Sequence, residues 1–158
     1  SFGGAELAGE LQALSADHLL HASDTGIQAM AENHVVATLL PLTAFTLREP
    51  YARGREMIDR GCAVALATDL NPGSCCSGSI PLTFALACIY MNLSVEEAIT
   101  AMTLNGAAAI GRADRIGSIE VGKQGDLVVL DADTPAILPY YTGMNAVRNT
   151  IKRGKIIY

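Results

Sequence analysis

Asp69 ends the run Cys62-Ala-Val-Ala-Leu-Ala-Thr-Asp69, and Asn71-Pro-Gly73-Ser74 follows at once. Ala63 to Ala67 is apolar without alternation, which predicts a strand covered on both faces, as in a parallel sheet packed between helices. An acid directly after such a strand stands at its C-terminal mouth, where parallel α/β folds keep their chemistry. It could equally cap the turn that Asn71-Pro-Gly73 makes, and the residues alone leave both open.

Two further places put polar groups in comparable positions. Asp17-His18 interrupts the apolar segment Ala16 to Leu20, and Thr43 sits just beyond the aliphatic run Val35 to Leu40. A buried Asp-His adjacency needs a reason, and a polar group at the mouth of each strand favours a barrel with its site on that face. His21 could pair with His18 only on a helix, which the strand reading opposes; His21 and His34 are read as structural.

The elements that must carry these residues follow from patterning. Ala5, Leu7, Ala8, Leu11 and Leu14 keep near-helical spacing after a flexible lead-in, Ser1 to Gly4. Ser23 caps a helix to about Asn33, and Val35 to Leu40 is a strand stopped by Pro41. A loop over Thr43–Thr46 leads to a helix from Tyr51 to Arg60, ended by Gly61. After the Asp69 loop, Ser79-Ile-Pro81 opens an apolar helix to Met91. Ser94-Val-Glu-Glu97 is a capping box for Val95 to Met102, and a last helix runs from Leu104 to Ile110. Beyond Gly111 the spacing predicts short antiparallel strands around Gly117-Ser-Ile-Glu-Val-Gly122 and Leu127–Leu130, and a terminal hairpin turning near Gly154.

The three strand-helix units near Ala16–Asn33, Val35–Arg60 and Cys62–Met91 argue for a parallel sheet. Three strands cannot close a barrel, which needs about eight, and would leave two apolar edges bare. The sheet is therefore a small open one or the end of a longer protein; the absence of an initiating Met suits a cut or processed piece.

Half of the 158 residues are hydrophobic, enough to bury a core, and the net charge of −5 argues against nucleic acid or an acidic membrane as partner. The four cysteines include no Cys-x-x-Cys pair and read as reduced thiols of a cytoplasmic protein. No apolar run reaches the roughly 20 residues of a membrane span.

Several motifs are familiar. Ser-Ala-Asp-His18-Leu, Ala-Thr-Asp69-Leu-Asn71-Pro-Gly73-Ser74, Thr-Leu-Asn105-Gly-Ala, Gly-Ser-Ile-Glu-Val-Gly-Lys-Gln-Gly-Asp-Leu-Val and the closing Ile-Lys-Arg-Gly-Lys resemble the C-terminal part of the amidohydrolase superfamily. The first two look most like a narrower group that hydrolyses a ring amide in histidine degradation. The resemblance covers essentially the whole chain. It implies an α/β fold: the last three strand-helix units of a (β/α)8 barrel over residues 1–113, then the C-terminal strands of a small β-sandwich over 114–158.

For function, the resemblance implies one divalent metal ion, zinc or iron, with Asp69 as a ligand that also takes a proton from the attacking water. His18 would face the metal and orient the water or polarise the carbonyl. Asn71, Gly73 and Ser74 would bind a small-molecule substrate, the alternative being a plain turn. The superfamily's His-x-His pair, its later histidine ligand and the arginine and tyrosines that grip substrate are absent. Catalytic zinc wants about three protein ligands, so this piece is not expected to bind metal tightly or to catalyse alone. Its partner would be the N-terminal remainder of the same protein, with a homodimer left open. The competing readings are another cyclic amide or amidine hydrolase or deaminase, and a non-catalytic scaffold on the same barrel.

Overall fold

The computed structural model describes residues 2–158, so the Ser1 end of the predicted lead-in lies outside the described residues. Helix α1 (Gly4–Glu10) leads to strand β1 (Ser15–Asp17), helix α2 (Asp24–Glu32) and strand β2 (Val36–Leu39). Helices α3 (Pro41–Leu47) and α4 (Gly54–Asp59) connect to strand β3 (Val64–Leu66), after which come α5 (Ile80–Tyr90), α6 (Val95–Met102) and α7 (Leu104–Ala109). The tail carries β4 (Leu127–Leu130), the single turn α8 (Ile137–Tyr140), β5 (Val147–Lys152) and β6 (Lys155–Ile156).

The first sheet is wholly parallel in the order β1-β2-β3, with Asp17 opposite Thr38 and Thr38 opposite Ala65. Ala37, Leu39, Val64 and Leu66 enter one core with Ile27 and Met30 of α2, Met57 of α4 and Phe84 of α5. The continuous apolar runs form strands because helices cover them: α6 packs on β3, and α7 on β2 and β3. Asn105, the amide of the Thr-Leu-Asn-Gly motif, donates to the Val64 carbonyl at 2.8 Å and clamps α7 to the sheet.

Caps fall where the sequence predicts them. Ser23 accepts from the Gly26 N–H, Ser79 from Leu82, and Ser94 and Glu97 make the reciprocal capping box. Other expectations need correction. Thr43–Thr46 is no loop but part of α3: Pro41 does stop β2, yet its fixed φ also suits a helix's first turn, and that whole turn, Pro41 to Ala44, is buried. The helix expected from Tyr51 begins only at Gly54. The first strand is shorter than Ala16–Leu20, because His18 and Leu19 both take positive φ and bend the chain away.

Likewise Ile119 and Glu120 are irregular and a turn begins at Val121 in place of the expected strand, with Lys123 paired to Glu120 and bonded to the Ser118 hydroxyl. Gly117, with φ +95°, lies so close to α7 that a Cβ there would stand 2.7 Å from the Ala107 side chain. The motif's opening glycine thus seats the tail on the helices. The predicted hairpin is present: β5 pairs antiparallel with β4 and with β6, turning at Arg153–Gly154. Asp126 pins this turn by accepting from the Lys152 ammonium at 2.6 Å and the Arg153 N–H at 2.9 Å. These bonds, the lysine's first, hold its carboxyl down to about 2. The four cysteines are free, and no helix among the described residues is long and apolar enough to cross a membrane.

Helix α1 packs on α2, with the Ser23 hydroxyl donating to Glu6 and holding that carboxyl below its ordinary range. A Cβ at Gly9 would stand 2.8 Å from the Ala29 backbone. Gly9→Ala therefore forces the helices apart and should cost about 1–3 kcal/mol in denaturant unfolding. For Asp126, ionisation in the fold occurs below the ordinary carboxylate value of 3.8. Its contribution is complete above that value and is lost as pH falls through about 2. Asp126→Asn should speed amide exchange in the Lys152–Lys155 turn at neutral pH, a difference that vanishes at the acid end.

Candidate active site

Parallel pairing puts the C-terminal ends of β1, β2 and β3 along one edge of the sheet, and the chemically capable side chains gather there. His18 is the residue after β1: its N–H still donates to the Thr38 carbonyl at 3.0 Å, and then φ of +66° turns the chain out of the strand. Asp69 comes three residues after the end of β3, with φ of +55°. Aspartate and histidine tolerate the left-handed region better than bulkier residues, though each such residue still carries strain that its surroundings must hold. The consequence is that His18 Nε2 and Asp69 Oδ2 face each other across 3.9 Å.

The expected burial of the Asp17-His18 pair is not found. Asp17 is exposed, and the His18 side chain is 50% exposed against 25% for Asp69. A cleft of about 580 Å³ opens beside His18, lined by Leu7 of α1, by Leu11 just after it and by residues from Ser15 to Ala22; Asp69 does not line it. His21 lies in that cleft wall, in a turn and not on a helix, and His34 precedes β2.

Thr43, 4% exposed in the first turn of α3, donates its hydroxyl to Asp69 Oδ2 at 2.7 Å. Beyond Asp69 the chain folds tightly around one amide. Asn71 Oδ1 accepts from the Gly73 and Ser74 N–H groups at 2.8 Å each, while its Nδ2 donates to the Asp69 carbonyl at 2.7 Å and the Ser74 hydroxyl at 3.1 Å. This is an Asx turn that spends the asparagine side chain on the loop itself. The structure thus brings Asn71, Gly73 and Ser74 together with Asp69, Asn71 serving to hold the other two. Cys75 beneath the loop is buried and Cys76 is exposed.

A carboxylate of this kind is a donor that a divalent ion takes, and an imidazole 3.9 Å away is close enough to act on what such an ion holds. Among the described residues, no group of three or more His, Cys, Asp or Glu converges on such an ion. The donor chemistry therefore fits a metal, but as part of a set. Sequence reading missed what Thr43 touches: a threonine beyond a strand carries no mark of its partner, and only the folded chain brings it to Asp69.

The chain matches the profile of the amidohydrolase family over residues 4–157. It is 82% identical over 158 residues to an imidazolonepropionase of Phocaeicola vulgatus and 66% identical over 157 residues to one of Porphyromonas gingivalis. All of this chain aligns with the first and 99% with the second, but it spans only 38% and 37% of their lengths. Among solved structures it resembles a zinc-bound adenosine deaminase from Xanthomonas campestris, with TM-score 0.84, 26% identity, and 93% of this chain and 38% of that one covered. A zinc complex of atrazine chlorohydrolase from Arthrobacter aurescens shares the fold at TM-score 0.79 and 19% identity, covering 99% of this chain and 42% of that one.

Since one side chain organises the loop, Asn71→Ala should leave the Gly73 and Ser74 amides without acceptors. Their hydrogen exchange should rise at least about tenfold, the equivalent of one lost hydrogen bond, while amides within β2 stay protected.

Proposed function

Because this chain belongs to the amidohydrolase family, we propose that it is the C-terminal portion of an imidazolonepropionase. That enzyme hydrolyses the ring amide of 4-imidazolone-5-propanoate to N-formimino-L-glutamate in histidine degradation. Identity of 66–82% along nearly the whole chain supports the substrate class. The geometric observation that carries the reading is the His18–Asp69 pair, held 3.9 Å apart at one edge of a parallel sheet.

In this reading β1, β2 and β3 are the last three staves of a (β/α)8 barrel. Residues 1–113 are its C-terminal part, and 114–158 add strands to a small β-sandwich. The sheet's order supports this, because the outer edges of β1 and β3 have no strand partner among the described residues. So does the tail, where Val128 and Ile156 are 59% and 70% exposed and need a covering layer. The N-terminal remainder of the protein supplies both covers.

Asp69 is this chain's ligand to a divalent ion, zinc or iron; zinc occupies the related adenosine deaminase and atrazine chlorohydrolase. When bound, such an ion lowers the pKa of its water toward neutrality and polarises a carbonyl oxygen. Asp69 takes the proton of the attacking water on Oδ1, the oxygen that no described residue hydrogen-bonds, and returns it to the ring nitrogen as the C–N bond breaks. His18 orients that water or the carbonyl from across the gap. The Gly73 and Ser74 segment, braced by Asn71, binds the propanoate carboxylate through the Ser74 hydroxyl and nearby backbone.

A second reading, deamination of a ring amidine, has the adenosine deaminase likeness behind it. The full-length protein distinguishes the two: turnover of 4-imidazolone-5-propanoate, followed by loss of its ring absorbance, supports the first, and ammonia release from a purine nucleoside without it supports the second. Asp69→Ala and His18→Ala in that protein should each abolish most of the activity at unchanged circular dichroism. Turnover like that of the wild type in either variant refutes the assignment.

A further inference from the structure

The geometry points to Thr43 as a positioning residue for the proposed reaction: its hydroxyl fixes the rotation of the Asp69 carboxylate, so that the acid meets the ion and the water in one orientation. This rests on the function proposed above.

Thr25, in the first turn of α2, bonds Ser23 and Glu6, but Thr46, Thr83, Thr100 and Thr103 turn their hydroxyls back on the carbonyl four residues earlier, at 2.7–2.9 Å. That bond satisfies the hydroxyl locally and orders nothing else. Thr43 departs from the pattern. The carbonyl four residues before it belongs to Leu39 of β2, outside α3, and points across the sheet to the Ala67 N–H at 3.2 Å instead of along the helix. With 4% of its surface exposed, Thr43 has little water to turn to and donates to Asp69 Oδ2 at 2.7 Å.

A carboxylate on one side-chain bond beyond Cβ rotates freely unless something holds it. Asp69 is only a quarter exposed, and its own backbone is tied to Asn71 through the carbonyl. Thr43 supplies the hold on the side chain, and on the oxygen that faces His18. A carboxylate oxygen can accept more than one bond, so the hydroxyl leaves Oδ2 free to face the gap as well. Because Thr43 follows β2 and Asp69 follows β3, the same contact locks the mouths of two adjacent strands together. Partners that orient a metal-binding carboxylate are worth about 10- to 100-fold in affinity or activity.

The test uses the full-length protein with Thr43→Val, which keeps the shape and removes the hydroxyl, and Thr43→Ser, which keeps the hydroxyl. Thr43→Ala replaces the valine variant should that one not fold. For Thr43→Val, kcat on 4-imidazolone-5-propanoate should fall about 10- to 100-fold with KM within about twofold, since the orientation matters in the transition state. Independently of turnover, bound metal should pass to a chelator about tenfold or more faster. Thr43→Ser should restore both readings. The inference is overturned if Thr43→Val retains wild-type kcat and metal retention, or if Thr43→Ser fails as the valine variant does. Asp69→Ala run in parallel separates the two claims. If it is inactive while Thr43→Val is normal, only the role of Thr43 falls; if it is fully active, the proposed function falls and takes this inference with it.

Discussion

The structure depends on parallel pairing of three short strands in chain order. Their register sets Asp17, Thr38 and Ala65 side by side, so each strand ends on the same edge and each following loop begins from a common line. A parallel ladder cannot be closed by a two-residue turn and needs a crossover, which here is α2 between β1 and β2, and α3 and α4 between β2 and β3. Of these, α2 and α4 join α5 and α6 in the apolar core that buries Val64 to Leu66, the centre of the uniform run Ala63 to Ala67. The pairing constraint thus creates both the core and the row of loop origins on which His18, Thr43 and Asp69 sit.

What happens at that edge is a matter of backbone as much as of side chains. His18 and Asp69 both lie beyond their strand ends in the left-handed region, an arrangement that costs energy and persists only because neighbouring bonds over-determine it. On the β3 side those bonds are visible: Asn71 gathers the loop around its amide, and Thr43 takes the Asp69 carboxylate. The polar groups on this side thus hold one another in a fixed arrangement.

The rest of the molecule is organised around surfaces it does not itself cover. Leu7, Leu11 and Leu14 of the first helix and its exit are exposed beside β1, and Val128, Ile156 and Ile157 are exposed on the antiparallel tail. A chain spanning 38% of its Phocaeicola vulgatus relative would be expected to show such faces. Within its own limits it is well tied. The Arg53 guanidinium joins Asp24 and Glu56, and Arg55 reaches Glu97 of the capping box, linking α2, α4 and α6 along their first turns.

Local chemistry was legible in the sequence, because the atoms responsible lie within a few residues of one another. Ser23, Ser79 and the Ser94–Glu97 box cap where their neighbours are helical, and the hairpin turns where glycine permits; apolar runs without alternation mark the sheet, and the motifs at His18, Asp69 and Gly117 mark the family. Tertiary structure alone decided the rest. Pro41 ends a strand and begins a helix only because Leu42 and Ala44 find a core. Asn71 turns out to brace its loop, and Thr43 finds Asp69 from 26 positions away. The 3.9 Å between His18 and Asp69 exists because strand pairing, not sequence spacing, sets the distance between strand ends. Such contacts join groups that are remote along the chain, and no residue type announces in advance which remote partner the packed sheet will bring to it.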